Sequence, residues 1–206
     1  MKTGSNCGCL VCRLEKSLTV ELQAEAASRE SPYLASSSSV VSRFPNPLDL
    51  VREMHAADGH SDRASADTLL LEILKQHSCA RPPSVWQRIL LLAFIPTMHR
   101  TASQVRVLFP ALAREDTSQH VVTVFLEFLG SSELRARRSH LAFTIARKLR
   151  RQAFRWAIRE TRGASPEEPG GNAIEEVENA AAGQPLYADV ALNRGSFTSA
   201  SHPVLG

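Results

Sequence analysis

The stretch His140–Glu160 reads HLAFTIARKLRRQAFRWAIRE and predicts a single long amphipathic helix. Its large aliphatic residues recur every four positions and would share one face: Leu141, Ile145 and Leu149. A row of arginines follows the same spacing on another face: Arg147, Arg151 and Arg155. Like charges at this spacing repel one another by a few tenths of a kcal/mol per pair, and phosphate groups would relieve that repulsion. The helix therefore raises the question of a nucleic-acid partner.

Composition leaves two interpretations of this helix open. In the first, Phe154 and Trp156 pack in a hydrophobic core and the arginines are solvated, as on any amphipathic helix. In the second, the arginines contact phosphates and the two rings stack on unpaired bases, which is worth roughly 1–3 kcal/mol per base. Composition by itself favours the first interpretation.

Charge is distributed unevenly along the 206 residues, although the net charge is only +3. Residues 1–80 carry a net −2, residues 81–162 a net +10, and residues 163–206 a net −5. The central block should attract a polyanion whatever its fold. The acidic, Gly- and Pro-rich tail at 163–206 is predicted to be disordered. It would either shield the basic block or simply keep the chain in solution.

The rest of the pattern predicts an all-α protein, because no alternating apolar–polar run of useful length is present. The predicted helices cover residues 14–28, 47–57, 65–78, 85–95, 101–108, 115–129 and 139–161. Ser65 and Ser84 are the expected N-caps and Gly130 the expected C-cap. Pro96 should kink or end its helix, which would resume at Thr101. The compact part is expected at 65–162, after an N-terminal extension at 1–64 that holds a cysteine cluster, helices and a Ser-rich linker.

The order of the central segments resembles region 2 of bacterial RNA polymerase sigma factors over roughly Val85–Arg162. That family has a helix of the type E-D-x-x-Q-x5-F-L, and the matching residues here are Glu115, Asp116, Gln119, Phe125 and Leu126. A second helix of the type L-x3-I-A-R follows a short polar loop in the family. Its counterparts here are Leu141, Ile145, Ala146 and Arg147.

The resemblance implies a small helical bundle that binds RNA polymerase core and promoter DNA during transcription initiation or its regulation. By this likeness Asp116 and Gln119 would face the polymerase. The implied DNA-binding residues lie in the loop and in the basic helix: Arg135, Arg137, Arg138, Arg147, Lys148, Arg151, Arg155, Trp156 and Arg159. They would melt the promoter minus-ten element and hold the non-template strand.

The chain departs from the sigma pattern in three places. Thr117 and Ser118 stand where the family usually has an apolar residue, and His120 stands where an acidic residue is usual. No helix-turn-helix follows Thr161, so a region-2-only form would either need a regulatory protein partner for promoter choice or not initiate transcription at all. The alternative is a non-sigma helical protein-interaction module, regulated by zinc or redox chemistry through its N-terminal cysteines.

The sequence CGCLVC places Cys7, Cys9 and Cys12 within six residues. Together with a distant ligand, either Cys79 or a histidine, they could hold zinc, which is the cofactor such a cluster would take. Cys9 and Cys12 could instead form a redox disulfide, or the cluster could have no special role. His77 and Cys79 are a second, weaker pair of ligand candidates.

The sequence contains none of the motifs that mark common catalytic sites. There is no G-x-S-x-G, no P-loop and no G-x-G-x-x-G after a strand, so we expect no enzymatic activity. No run of about 18 apolar residues is present, which predicts no membrane span. The N-terminus lacks a signal-peptide pattern, and we expect a cytoplasmic protein.

Overall fold

The structure, a computed structural model, describes residues 8–28, 33, 38–56, 63–80 and 84–162. This part of the chain is helical and contains no strand, which confirms the all-α prediction. The α-helices are α1 (Leu10–Ala27), α2 (Pro47–Ala56), α3 (Arg63–Cys79), α4 (Val85–Leu108), α5 (Arg114–Leu129), α6 (Ser132–Ala136) and α7 (Leu141–Arg162). A 3-10 turn at Val41–Arg43 precedes α2. Cys7 and the tail at 163–206 lie outside the described residues.

Helix α4 is the centre of the fold and packs against α1, α2, α3, α5 and α7. Every residue from Ile89 to Ile95 is buried, as expected of a helix that is surrounded by others. The expected cap is confirmed, because the Ser84 hydroxyl accepts a hydrogen bond from the Gln87 N–H at 3.2 Å. The sequence thus correctly located both the start of α4 and its most apolar turns.

Pro96 does not end α4, and the separate helix expected from Thr101 is wrong. A proline inside a helix removes one hydrogen bond and crowds the carbonyl four residues earlier. Here the Pro96 ring lies on the exposed side, while the apolar turns on either side of it are held by neighbouring helices. The His55 ring of α2 contacts this part of the helix directly, with its Nε2 atom 2.9 Å from the Ala93 carbonyl oxygen. Tertiary packing therefore outweighs the local cost.

The core extends well beyond the stretch 65–162. Val11 and Leu22 of α1 and Leu50 of α2 are fully buried in the same cluster as the residues of α4, α5 and α7. On the surface, Arg88 of α4 reaches Glu21 and Glu25 of α1 at 3.6 and 3.7 Å. The first two helices are therefore part of the compact fold rather than an extension of it.

Two local features differ from the sequence prediction. Helix α3 begins at Arg63, so Ser65 lies inside the helix and is not its cap. The expected polar loop before α7 contains the short helix α6, which is capped by the Ser131 hydroxyl accepting from the Leu134 N–H at 3.3 Å. Gly130 is the C-cap of α5 as predicted, with a right-handed φ of −78°.

The N-terminus of helix α7 is capped by a side chain from another helix. The Asp67 carboxylate of α3 accepts hydrogen bonds from the backbone N–H groups of His140 and Leu141, at 2.5 and 2.9 Å. His140 itself has a positive φ of 54°, the left-handed conformation in which the chain turns into the helix. A carboxylate at the positive end of a helix is stabilising, and this one fixes where α7 starts.

Candidate nucleic-acid interface

One side of α7 belongs to the core. Its buried residues are Leu141, Ile145, Leu149, Ala153, Phe154, Ala157 and Ile158. They pack against α5, α4 and α3, so the predicted aliphatic face is the face that holds α7 in place. The remaining surface of the helix carries its charge.

The solvent side of α7 carries the arginine row, which consists of Arg147, Arg151 and Arg155. Arg147 and Arg151 are exposed and Arg155 is half-buried. Within the described residues none of the three forms an ion pair. The eight residue steps from Arg147 to Arg155 span about 12 Å along the helix axis, close to the axial rise of three to four nucleotides. The row is thus a line of unneutralised positive charge on a rigid support.

Phe143 extends the arginine row by one helical turn toward the N-terminus of α7. Its side chain is 43% exposed, which is unusual for phenylalanine, and it precedes Arg147 by four residues. Phe143 was not among the residues predicted from the sequence, although its i, i+4 relation to Arg147 is visible there. Phe154, by contrast, is 1% exposed and makes an edge contact with Phe109 at 6.2 Å. The interpretation of Phe154 as a base-stacking ring is therefore wrong, because its faces are occupied by the core.

Three further arginines lie before α7, all of them exposed: Arg135, Arg137 and Arg138. Arg135 donates to the Gly130 carbonyl at 2.5 Å, and Arg138 donates to the carbonyls of Arg135 and Arg137 at 2.8 and 3.1 Å. These bonds occupy part of each guanidinium and leave its charge in solvent. The segment therefore adds positive charge beside the first turns of α7.

The other charged side of α7 borders an open groove of about 330 Å³ between α5 and α7. The groove is lined by His120, Val124, Glu127, Phe128, Ser131, Glu133, Lys148, Gln152 and Arg159. Lys148 pairs with Glu133 at 2.7 Å, and its ammonium lies 5.6 Å from the centre of the Phe128 ring. The Lys148 hydrogen bond lowers the pKa of the Glu133 carboxyl. Two predicted DNA-binding residues, Lys148 and Arg159, thus face a groove that also contains carboxylates.

Trp156 lies on this groove side and stacks on His120 of α5. The ring centres are 4.5 Å apart and the planes differ by 17°. Burial lowers the pKa of His120, and Arg159 acts in the same direction, while Glu127 and Glu160 oppose it. Trp156 follows Arg151 by five positions, which puts the two side chains about 140° apart around the helix. Trp156 is half-buried and does not lie on the face that carries the arginine row.

Both residues that the resemblance assigns to polymerase, Asp116 and Gln119, are exposed on the outer face of α5. Thr117 and Ser118 lie on its buried side at 0% and 1% exposure. Their hydroxyls donate to the carbonyls of Ala113 and Arg114 at 2.9 Å each, which satisfies both polar groups without an external partner. The lack of an apolar residue at these two positions is thus accommodated within the helix itself.

At the N-terminus, the structure brings Cys9 and Cys12 of the predicted cluster together with His99 of α4. The two sulfurs are 3.5 Å apart, and the ligand atoms of all three residues lie within 4.8 Å of one another. Cys79 is exposed at the end of α3 and does not join them, so its prediction as the distant ligand is wrong. His99 lies 87 residues from Cys12, and no spacing in the sequence pointed to it.

Comparison of the chain with protein-family models, with curated proteins and with solved structures finds no match. Within the described ranges, no helix combines the length and the apolar character that a membrane crossing requires. Three features of the described residues are candidate functional sites: the arginine row, the groove, and the cluster of Cys9, Cys12 and His99.

Proposed function

We propose that this protein binds nucleic acid through the arginine row of α7 and acts as a sigma-factor-like transcription protein that also binds RNA polymerase core. The single observation that carries the proposal is the row itself. Arg147, Arg151 and Arg155 are aligned on one rigid face, and no carboxylate of the described residues pairs with them. The repulsion between three like charges on one helix face is reduced when phosphates bind beside them.

A single strand suits this surface better than a paired duplex. The row is one helix face about 12 Å long, which matches the backbone of a short unpaired segment. Phe143 at its end offers an exposed ring on which an unpaired base can stack, whereas the bases of a duplex are already stacked on each other. Arg135, Arg137 and Arg138 supply additional charge where such a strand would continue past α6.

The polymerase part of the proposal depends on α5. Asp116 and Gln119 are exposed, and Glu115 beside them pairs with Arg13 of α1, which fixes the first turn of the helix. Helices α5 and α7 pack directly against each other. A protein bound to the outer face of α5 would therefore lie next to a strand bound along α7.

The DNA part is tested by measuring the affinity of the full chain for a mixed-sequence duplex that contains a central melted bubble, against the same duplex fully paired. We expect tighter binding to the bubble. Charge reversal by Arg151→Glu should weaken bubble binding by about tenfold or more, because a charge-assisted phosphate contact is lost and a repulsive charge is gained. The slope of log affinity against log salt should fall by roughly 0.7 per phosphate contact removed.

A matched control is Arg52→Glu, which changes the net charge equally on α2, a helix that packs on α1, α3 and α4. It should leave the preference for the bubble intact. If Arg52→Glu and Arg151→Glu weaken binding equally, or if bubble and duplex bind with equal weak affinity, the arginine row has no specific role. A protein-interaction module would then be the better description.

The polymerase part is tested separately by co-purification of the full chain with RNA polymerase core. We expect a complex that is lost on Asp116→Arg, while Glu53→Arg, at an exposed position of α2, serves as the matched charge reversal. A complex that survives Asp116→Arg would remove α5 from the proposal. If no complex with core forms, the protein does not have the sigma-like role. Nucleic-acid binding would then be judged from the bubble-binding assay alone.

A further inference from the structure

The N-terminal end of α1 and the middle of α4 meet at three side chains that share one chemistry. Cys9 is the N-cap residue of α1, Cys12 lies in its first turn, and His99 comes from α4. Cys9 and Cys12 are 5% and 9% exposed, and His99 is half-buried. Two sulfurs and an imidazole from different helices thus point to one small volume near the surface.

The dimensions of this cluster suit a tetrahedral metal ion. Zinc binds sulfur at about 2.3 Å and imidazole nitrogen at about 2.0–2.1 Å, so neighbouring ligand atoms around it would be about 3.5–3.8 Å apart. The Cys9 and Cys12 sulfurs are 3.5 Å apart, and all three ligand atoms lie within 4.8 Å of one another. The side chains would therefore need to move little to coordinate one ion.

The electrostatics of the cluster also favour a divalent cation. Two thiolates neutralise the charge of Zn²⁺, and a neutral imidazole adds none, so the loaded site would bury no unpaired charge. Zinc binds cysteine as the thiolate, and both sulfurs are supplied by the N-terminal end of helix α1. Gly8, directly before Cys9, has a φ of +64°, a conformation that lets the chain turn sharply into the helix.

We infer that Cys9, Cys12 and His99 form a zinc site that fastens α1 to α4. A disulfide between the two cysteines would need no histidine from another helix, whereas a metal site gives all three residues a role. The ion would join two segments that are 87 residues apart in the chain, so binding free energy would contribute to folding. Its fourth ligand is either solvent or a further protein group.

The inference is tested on the full chain, purified under reducing conditions, by metal analysis and by titration with Co²⁺. We expect about one zinc ion per chain and, with cobalt, the visible absorption of a tetrahedral ion together with thiolate-to-metal charge transfer. Cys9→Ser, Cys12→Ser and His99→Gln should each abolish the cobalt spectrum or weaken metal binding at least about tenfold. Cys79→Ser, which removes the exposed cysteine at the end of α3, should bind metal as the wild type does.

Two further measurements separate loss of ligand from loss of fold. His99→Cys replaces one zinc ligand by another and should retain metal, with charge transfer increased by the third thiolate. A chelator should lower the Tm of the wild type by about 5–10 °C and leave the Tm of His99→Gln unchanged.

The inference is overturned if the reduced wild type binds neither zinc nor cobalt, or if His99→Gln binds either as tightly as the wild type. Formation of a Cys9–Cys12 disulfide in air, seen as the loss of two hydrogens by mass spectrometry, with no metal binding by the reduced protein, would assign the pair to redox chemistry. Neither result would affect nucleic-acid binding by α7, which is measured independently.

Discussion

The two charged sides of α7 both carry basic residues, but the neighbours of those residues differ. On the solvent side, Arg147 and Arg151 are exposed and have no carboxylate partner within the described part of the chain. On the groove side, Lys148 pairs with Glu133, and Arg159 shares the groove with Glu127. Basic residues on one helix therefore differ in their availability to a polyanion. Neutralised charges stabilise the fold locally, whereas unneutralised charges are available for phosphates.

The largest expected effect contrasts two phenylalanines of α7. Phe154→Ala should lower the free energy of unfolding by about 3–5 kcal/mol, because it empties a fully buried position. Phe143→Ala should change it by less than about 0.5 kcal/mol, yet weaken bubble binding by about tenfold through lost stacking. Urea unfolding followed by circular dichroism and the binding assay measure both quantities. If Phe143→Ala binds the bubble as tightly as the wild type, the ring does not stack on bases.

A smaller effect is expected at the cap that α3 supplies to α7. Asp67→Ala removes the acceptor for two backbone N–H groups and should cost about 1 kcal/mol, or a fall in Tm of about 2–4 °C. Fraying of the first turn would also loosen Phe143 and Arg147, so bubble affinity should fall together with Tm. Asp67→Asn keeps an acceptor and is the matched control, with a smaller loss. Equal Tm values for Asp67→Ala and the wild type would show that the cap has no energetic role.

Two partly buried histidines, His120 in the groove and His77 on α3, should make the stability of the fold depend on pH. Burial lowers the pKa of His120, and burial followed by the charge of Arg135 lowers that of His77. The histidines of the unfolded chain have a pKa near 6.5, and in the folded chain their pKa is lower. At pH values between these two pKa values, the unfolded chain binds more protons than the folded chain. The free energy of unfolding is therefore expected to be highest above about pH 6.5 and to fall as the solution is acidified toward the lower, folded-state pKa.

Denaturant titrations between pH 5 and 8 test this expectation, with the variants His77→Gln and His120→Gln. Each substitution should reduce the slope of stability against pH, and the double substitution should reduce it most. Both substitutions lie outside the arginine row, so the bubble affinity of the double variant should follow that of the wild type apart from any change in folding. A double variant with the full wild-type slope would assign the pH dependence to other groups.

The smallest effect is expected at Glu133. Glu133→Gln breaks the exposed pair with Lys148, and pairs of this kind contribute little to stability, so Tm should stay within experimental error. Lys148 then loses its neutralising neighbour, and bubble binding at low salt should rise by no more than about threefold. A rise much larger than threefold would mean that the groove, rather than the solvent side, is where the strand binds.

Local patterns in the sequence were sufficient for much of the fold. The periodicity of His140–Glu160 predicted α7 and its buried aliphatic face, and Ser84 predicted the start of α4. Both depend on residues within one or two turns of each other. The separate helix after Pro96 was predicted from the local cost of a proline alone. Packing from other helices offsets that cost, and α4 continues.

The candidate sites depended on contacts that no local pattern contains. Phe143 and Phe154 are eleven residues apart, which is about three full turns and places them at nearly the same angle around α7. Periodicity cannot distinguish them, yet Phe109 from the end of α4 covers Phe154 and leaves Phe143 in solvent. Likewise, the pair Cys9 and Cys12 is visible in the sequence, but only the packing of α1 on α4 brings His99 to it. The sequence determined which residues share a helix face, and tertiary contacts decided which of those faces stay exposed.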